Sequence, residues 1–535
     1  MITAWVALLV MMVNLLPVPA VFPGWHHSIS TTSALTQYYF DRGLLQAYGF
    51  NHAAALRSFQ TATKFDPNCA LCYWGMAYVL GPNINTEMSA DTVPRAWEAI
   101  QQALALQDHA SAPEQAYIQA LATRYRPTPV ADRSALNLAY SEAMGQVVQR
   151  YPDDLDAVTL YAEALMDTTP WKYWQENGQP NPTGQRIITL LNAVLQQAPE
   201  HIGALHFYIH AVEEKHPELA MAVADRLRDL HLPIGHLVHM PSHIYLRVGR
   251  YRDAVSSNRR AIAVDRQTLG EDGIYRYAYI PHNQHFLWYA ATLAGQQQIA
   301  LQAATETAQL VDPQLLRQPG YGTLQHYLSL PLYAWVKFEL WDKILHEPAP
   351  AADLIYPRGV WHYARGMAWV HQGDSDRAAT ELAHLRAIAT SPGLDGVTLW
   401  DVNSTADLLQ IGAEVLGAEL SARQGQIDQA IQGFSRAIDR EDHLTYDEPA
   451  PWPAPVRQSL GDFLLNQNRP AEAAQLFRED LEIYPANVWS LRGLAASEKA
   501  LNRLQQLAQS TGVPAVEAVP VRQPGNLPQD QRKQL

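Results

Sequence analysis

A pattern of small and aromatic residues recurs along the chain with a period near 34 residues, and it constrains the fold more than any other feature. One copy is formed by Gly43, Ala55, Phe59, Ala62 and Pro67. Small residues let two helices approach closely, the aromatic side chain fills the gap between them, and proline ends the second helix. The pattern therefore predicts a stack of helical hairpins.

Further copies of this pattern occur later in the chain. Two clear copies and two weaker ones contain Ala418, Gly425, Ala430, Phe434 and Ala437; Gly461, Ala473, Phe477 and Pro485; Gly249, Tyr251, Ala254 and Ala261; and Gly366, Gly373 and Ala378. The chain resembles tetratricopeptide-repeat (TPR) proteins over about residues 35–509. The resemblance implies an all-α fold, a right-handed superhelical solenoid of TPR-like hairpins whose first helices line a concave groove.

Several short segments are similar to an exported bacterial branch of the TPR family. They lie at residues 41–44, 48–53, 72–75 and 81–83, and above all at 239–245, where the sequence is His-Met-Pro-Ser-His-Ile-Tyr. This resemblance supports the expected fold. It implies no particular activity.

Composition and missing motifs exclude several classes of function. The 535 residues are 47% hydrophobic and 17% charged, as in a folded protein. The net charge of −14 comes without a basic patch, which argues against a nucleic-acid partner. The chain has no G-x-G-x-x-G after a strand, no phosphate-binding loop, no G-x-S-x-G and no H-E-x-x-H, so nucleotide-dependent and serine-hydrolase chemistry are disfavoured.

The two ends of the chain differ from the repeats. Residues 1–25 carry no charged side chain, and the apolar stretch 5–16 is followed by Pro-Val-Pro-Ala. This predicts a signal peptide at 1–20, or an uncleaved N-terminal anchor. We therefore expect export to the periplasm or the extracellular space, with membrane contact only if this segment is uncleaved. Residues 510–535 are expected to form a disordered tail.

The two cysteines, Cys69 and Cys72, form a C-x-x-C motif. At the start of a helix, the helix dipole would lower the pKa of a thiol, which is compatible with a redox or metal-binding role. Packing inside the hairpin and a local disulfide are the alternatives. Covalent haem attachment is not supported, because Tyr73 and not histidine follows the motif.

Histidines are concentrated in one part of the repeats, with ten of the 20 lying between residues 201 and 285. Successive repeats place them at equivalent positions: His206, His239 and His285 at the fifth, His210, His243 and Tyr289 at the ninth, and His236, His282 and His326 at the second. These positions share one face of a helix. The register predicts a contiguous imidazole-lined patch on the groove floor.

Imidazoles spaced i, i+4 on a helix can bind a transition metal when neighbouring helices add further ligands. The predicted ligands are His206, His210, His239, His243, His282 and His285, with Glu213 offering a carboxylate at the edge. Such ligands suit zinc, copper or iron. Contact with a bound peptide, polar packing and pH sensing are the alternatives for the same residues.

A second set of residues is predicted to contact a protein or peptide partner in the groove. It comprises His236, Tyr289, His326, Trp171, Trp174 and Arg365. Trp171 and Trp174 would form an aromatic lid, or would fix their loop onto the scaffold. Arg365 would hold a carboxylate of the partner, or would form a structural ion pair.

Two functions follow from the sequence. The first is an exported TPR scaffold that binds a protein or peptide in a groove lined by histidine and aromatic residues. The alternative is a metalloprotein with a zinc, copper or iron site in that groove, to which redox or hydrolytic chemistry would be open.

Overall fold

The computed structural model describes residues 25–267 and 274–511, with side chains up to residue 506. The predicted signal peptide at 1–20 and the predicted tail from residue 512 lie outside these ranges. The chain divides into two compact units. Unit 1 contains Met1–Val248 and Arg252–Leu287, and unit 2 contains Gly249–Tyr251 and Trp288–Leu535.

The helices as far as the end of unit 1 are mostly 10–17 residues long. They are α1 Ala34–Tyr48, α2 His52–Phe65, α3 Ala70–Val79, α4 Val93–Ala105, α5 Ala112–Ala122, α6 Ser134–Arg150, α7 Leu155–Met166, α8 Pro182–Gln197, α9 Ile202–Val212, α10 Met221–Asp229, α11 Gly235–His239, α12 Pro241–Arg247, α13 Tyr251–Asp265 and α14 Ile280–Leu293. Two 3₁₀ turns, Gln107–His109 and Pro217–Ala220, and a π-helix, Tyr275–Tyr279, lie between them.

Unit 2 also consists mainly of helices, and in its described residues a short β-hairpin lies between α19 and α20. The helices are α15 Gln297–Leu310, α16 Gly322–Lys337, α17 Trp341–His346, α18 Ile355–Gln372, α19 Ser375–Ala389, α20 Thr405–Arg423, α21 Ile427–Asp442, α22 Val456–Asn466, α23 Pro470–Ile483 and α24 Val488–Thr511. Strands β1 Thr398–Leu399 and β2 Asn403–Ser404 pair antiparallel, and a 3₁₀ turn spans Pro392–Leu394.

Consecutive helices pack against each other in both units. Examples are α1 with α2 and α7 with α8 in unit 1, and α18 with α19 and α20 with α21 in unit 2. The predicted all-α, TPR-like fold of successive helical hairpins is therefore confirmed. None of the described helices combines the length and the apolar character needed to cross a bilayer.

A buried phenylalanine held between two glycines sets the helix spacing in each unit. A Cβ atom on Gly43 of α1 would lie 2.7 Å from the ring of Phe59 in α2, and one on Gly75 of α3 would lie 2.6 Å from it. In unit 2, Gly461 and Gly493 flank Phe477 in the same way, at 2.7 and 2.3 Å. Only glycine leaves room for the ring, so the repeat pattern is explained by close helix packing.

Local hydrogen bonds fix where the helices begin and end. Asn51 caps α2 by accepting a bond from the Ala54 amide, and Asp374 caps α19 by accepting one from Arg377. The glycines that end the first helix of two hairpins have left-handed backbones, with φ of 82° at Gly373 and 76° at Gly425. These are two of the glycines in the repeat pattern.

Cys69 and Cys72 form a disulfide at the first turn of α3. The sulfur of Cys69 also caps that helix, accepting a hydrogen bond from the Cys72 amide at 3.1 Å. Among the alternatives left open for this pair, the structure shows the local disulfide.

The segment before α1 is fixed to unit 1 by carboxylates from several helices. The His27 ring lies 2.6 Å from a carboxylate oxygen of Asp156 in α7, and the Ser30 amide donates to Glu114 in α5 at 2.7 Å. Although burial lowers the pKa of His27, the Asp156 carboxylate outweighs it and raises this pKa to about 9. His27 is therefore held as a cation at neutral pH.

We expect the Gly461→Ala substitution to lower the free energy of unfolding by about 1–3 kcal/mol, because the added methyl group overlaps the Phe477 ring. Thermal or denaturant unfolding measures this change. The matched control is Gly417→Ala in α20, where the nearest atom is the mobile end of Arg386 at 3.2 Å. There alanine should raise stability by about 0.5–1 kcal/mol. Equal effects at both sites would contradict the packing argument.

The raised pKa of His27 predicts a pH-dependent stability. The contribution of the His27–Asp156 pair is fully present below pH 6.5 and is lost as the pH rises through about 9. Unfolding free energy measured across this window should fall by an amount on the order of 1–3 kcal/mol. His27→Gln should flatten the dependence, while His443→Gln, at an exposed position, should not. A slope unchanged by His27→Gln would refute this prediction.

Candidate metal centre

Helix α9 places two histidines in the interior of unit 1. All eleven residues of α9 are buried, so its polar side chains have no access to water. Helices α11 and α12, and the part of α14 up to Leu287, lie in the same unit and supply the other histidines of the predicted patch. Together these helices form two adjacent groups of three imidazoles, instead of an open groove surface.

The first trihistidine group consists of His206 and His210 from α9 and His236 from α11. One ring nitrogen from each lies within 4.8 Å of the others, and all three side chains are buried. Phe50 contacts all three imidazoles, with ring centroids 4.7, 5.8 and 5.6 Å away in that order. Phe50 itself has a positive φ of 54°, an uncommon conformation for a bulky residue.

Hydrogen bonds fix the tautomers in the first trihistidine group. Nδ1 of His206 donates to the backbone carbonyl of Tyr48 at 2.6 Å, and Nδ1 of His210 faces the carboxylate of Glu213 at 3.2 Å. A neutral imidazole that donates from Nδ1 carries a lone pair on Nε2. Within the described residues, these two Nε2 atoms and both ring nitrogens of His236 have no hydrogen-bond partner.

The second trihistidine group consists of His239 from α11, His243 from α12 and His282 from α14. One ring nitrogen from each again lies within 4.8 Å of the others. Phe286 contacts all three imidazoles, with ring centroids 4.6, 4.4 and 4.8 Å away. The two groups therefore share one plan: three buried imidazoles packed against a buried phenylalanine.

A hydrogen bond fixes the tautomer of His239 in the second trihistidine group. Nδ1 of His239 lies 2.6 Å from Oδ1 of Asn258, whose amide nitrogen donates to the Ala254 carbonyl, so Oδ1 must be the acceptor. Nδ1 of His243 lies 2.9 Å from the carboxylate of Glu213. The Nε2 atoms of these two histidines face each other at 2.9 Å, and Nε2 of His239 is the acceptor in this contact.

Glu213 connects the two groups, because one of its carboxylate oxygens faces His210 and the other faces His243. Burial raises its pKa, but the two histidines outweigh burial and hold this pKa well below the usual range. Burial, together with nearby histidines, lowers the pKa values of His206 and His239 well below normal. The environment therefore favours the neutral form of His206 and His239 and the ionised form of Glu213.

Asp265 at the end of α13 positions the helices that carry the second group. Its carboxylate accepts hydrogen bonds from the Tyr275 hydroxyl at 3.2 Å and from Asn283 of α14 at 2.7 Å. The Tyr275 hydroxyl in turn accepts the His236 amide of α11. Any Cβ atom on Gly235 would lie 1.9 Å from this carboxylate, so glycine is required there. Tyr275 also begins the π-helix, a feature often found at functional sites.

A second network holds the first group in place. The Tyr48 hydroxyl donates to Asp156, which also faces His27 and His201. Tyr48 then offers its carbonyl to His206. Through Tyr48, the orientation of the His206 imidazole is thus linked to the ion pair between His27 and Asp156.

The structure differs from the predicted ligand set in two respects. His285 is buried on α14 but belongs to neither trihistidine group, whereas His236, which was assigned to a partner, belongs to the first. Glu213 lies between the groups and faces the Nδ1 atoms of two imidazoles. The patch predicted on the groove floor lies in the interior of unit 1, with His206 and His239 both 0% exposed.

Most of the residues predicted to contact a partner have structural roles. His326 and Tyr289 are buried in unit 2, and Nδ1 of His326 lies 2.8 Å from the hydroxyl of Tyr356. Arg365 donates to Glu381 at 2.9 Å, and the same carboxylate accepts from His362. This is the structural ion pair that the sequence left open.

The two tryptophans of the predicted lid fix their loop onto unit 1. The indole of Trp171 donates to the Ile84 carbonyl at 3.0 Å, and its ring lies 5.3 Å from that of His210. Trp174 donates to the Ala211 carbonyl of α9, also at 3.0 Å. Trp171 thereby covers one side of the first trihistidine group.

Sequence reasoning missed the residues that support the imidazoles. Phe50 lies between α1 and α2, and nothing in the sequence connects it to histidines more than 150 residues away. Phe286 follows His285 in the sequence, so the histidine pattern pointed to this part of the helix. Asn258 and Asp265 lie on α13, which carries no histidine, and only their contacts reveal their roles.

Comparison with protein-family models and with curated proteins finds no match. Similar solved structures include yeast Tom70, with 11% identity over 90% of this chain and 99% of that chain and a TM-score of 0.33. The structure of the APC/C hetero-tetramer Cut9–Hcn1 has 12% identity over 89% and 78%, also with a TM-score of 0.33. The TPR domain of P58(IPK) has 12% identity over 88% and 99%, with a TM-score of 0.24.

Proposed function

We propose that this chain is an exported TPR-like protein that binds a transition-metal ion at the first trihistidine group. The observation that supports this is the set of nitrogens without partners. Three buried imidazoles place ring nitrogens within 4.8 Å of one another, and Nε2 of His206, Nε2 of His210 and both nitrogens of His236 have no hydrogen bond within the described part of the chain. Buried polar atoms of this kind are rarely left without a partner.

The donor set determines which class of ion fits. Neutral imidazole is the form that binds metals, and the hydrogen bonds at Nδ1 of His206 and His210 direct their Nε2 lone pairs to the ion. A set of three imidazoles suits zinc, copper or iron and does not suit magnesium or calcium, which prefer oxygen ligands. The buried negative charge of Glu213 would also stabilise a cation next to it.

Export is supported by two features. The apolar, uncharged stretch at residues 5–16 is followed by small residues and prolines, as in a signal peptide or an anchor. The disulfide between Cys69 and Cys72 suits an oxidising compartment. The similarity to an exported bacterial TPR branch agrees with both.

The export proposal predicts that full-length protein expressed in a bacterium reaches the periplasm or the medium. Fractionation, followed by N-terminal sequencing, distinguishes a chain cleaved near residue 20 from an anchored one. A variant with two lysines in place of Val10 and Met11 should stay in the cytoplasm, because charges interrupt the apolar stretch. Cytoplasmic retention of the unaltered protein would contradict export.

Binding of a protein or peptide stays a prediction. Helical repeats offer extended surfaces for such partners. However, three of the six residues predicted to contact a partner, His236, Tyr289 and His326, are buried. Burial argues against peptide contact at all three positions, and His236 belongs to the first trihistidine group instead.

The metal proposal predicts that purified protein contains zinc, copper or iron, as measured by elemental analysis. A His206→Gln, His210→Gln variant should lose metal from the first trihistidine group, because it removes two of the three ligands. After treatment with a chelator, adding the metal back should raise the melting temperature of the unaltered protein.

The matched control is His443→Gln, at an exposed position in unit 2, which should keep its metal content and its thermal response. Circular dichroism shows whether the double variant folds. The melting-temperature response of the unaltered protein tests the proposal even if that variant does not fold. Absence of bound metal, together with no thermal response to zinc, copper or iron, would refute the proposal.

A further inference from the structure

We infer that the second trihistidine group, formed by His239, His243 and His282, binds a second ion of the same kind next to the first. The protein would then carry a dinuclear centre with three imidazoles for each ion. This inference rests on the proposed function, since it assumes that the first trihistidine group holds a metal. The argument for the second ion, however, comes from different atoms.

The second group has the same construction as the first. Each group contains two histidines four residues apart in sequence, on one helix in the first group and on the consecutive helices α11 and α12 in the second, and in each a phenylalanine contacts all three rings. The Phe50 centroid distances of 4.7–5.8 Å correspond to the Phe286 distances of 4.4–4.8 Å. A phenylalanine that packs against three imidazoles restricts their rotation and excludes water from one side. This is a recurring requirement for a preorganised metal site.

The contact between His239 and His243 brings two ring nitrogens to nearly the separation of a chelating pair. Their Nε2 atoms are 2.9 Å apart, and the hydrogen bond to Asn258 leaves Nε2 of His239 as a lone pair aimed at His243. Two nitrogens bound to one tetrahedral zinc lie about 3.3 Å apart, which is close to this separation.

A proton on Nε2 of His243 would also satisfy this contact, as a hydrogen bond between the two rings. A metal ion would use the third imidazole as well, since His282 places a nitrogen within 4.8 Å of the other two. A metal ion uses three nitrogens at once, whereas a proton bridges only two. The number of copper ions bound per chain therefore distinguishes the two arrangements.

The two groups are close enough to form one centre. Ring centroids of His210 and His243 are 5.9 Å apart, and those of His236 and His239 are 5.8 Å apart. The two carboxylate oxygens of Glu213 orient one imidazole of each group. Both ions would therefore be bound by histidines that depend on one shared carboxylate.

The burial of the centre limits the ligand that it can take. Three imidazoles leave at least one coordination position of each ion open. Each of the residues His206, His210, His236, His239 and His243 is at most 5% exposed, so a large substrate has no room beside them. The ligand class that fits is a small anion or a diatomic molecule.

The test uses the full chain, stripped with a chelator, loaded with Cu²⁺ and dialysed. We expect about two copper ions per chain in the unaltered protein. His206→Gln in the first group and His282→Gln in the second should each reduce this to about one. His443→Gln should leave it at about two. Azide, a small anion, should change the copper absorption spectrum of the unaltered protein.

Electron paramagnetic resonance tests whether the two ions are neighbours. In the doubly loaded protein, spin coupling should broaden or abolish the Cu²⁺ signal. The His206→Gln and His282→Gln variants should show the spectrum of an isolated ion. If a variant does not fold, the spectrum of the unaltered protein by itself still tests whether the two ions are coupled.

The outcomes separate this inference from the proposed function. One copper ion per chain, removed by His206→Gln but not by His282→Gln, would overturn the second site and leave the first. Two ions with the simple sum of isolated spectra would overturn the dinuclear centre. A copper absorption spectrum that azide does not change would overturn the inference of an open coordination position. No bound copper, zinc or iron would overturn both proposals.

Discussion

Close packing of helices around buried phenylalanines is the constraint on which the rest of this structure depends. Gly43 and Gly75 leave just enough space for Phe59, and Gly461 and Gly493 do the same for Phe477. Because the ring fills the space where two side chains are absent, the separation of successive helices is fixed. Helix α9 is packed equally closely, since a Cβ atom on its Gly203 would lie 2.7 Å from the ring of Tyr48 in α1. The same packing that stabilises the hairpins therefore creates the interior in which the histidines lie.

Burying so many imidazoles is costly unless their polar atoms are bound. The structure satisfies Nδ1 in three of them, His206, His239 and His210, with a backbone carbonyl, an amide oxygen and one oxygen of Glu213. These bonds leave Nε2 of each of the three as a lone pair. Apolar side chains would fill the same space at lower cost. A bound cation gives the first group a physical reason, because it uses the Nε2 lone pairs of His206 and His210, which have no hydrogen-bond partner in the described residues.

The helical hairpins and the paired histidines could be predicted because they depend on residues close in sequence. The spacing of His206 and His210 places them on one face of a helix, and the structure shows them there. The grouping could not be predicted in the same way. Helix α11 is only five residues long and α12 begins at Pro241, so a uniform repeat register does not hold there. A π-helix precedes α14, and of the two predicted ligands on α14, His282 and His285, only His282 belongs to the second group.

The sequence by itself determined the all-α class, the hairpin packing and the part of the chain in which histidines concentrate. All three follow from periodicity, which is a property of neighbouring residues. Only the tertiary structure decided that the imidazoles are interior and form two groups, and which acceptor fixes each tautomer. The Tyr48 carbonyl meets His206 across 158 positions of sequence. Contacts at such separation depend on how several helices pack together, and no local pattern encodes them.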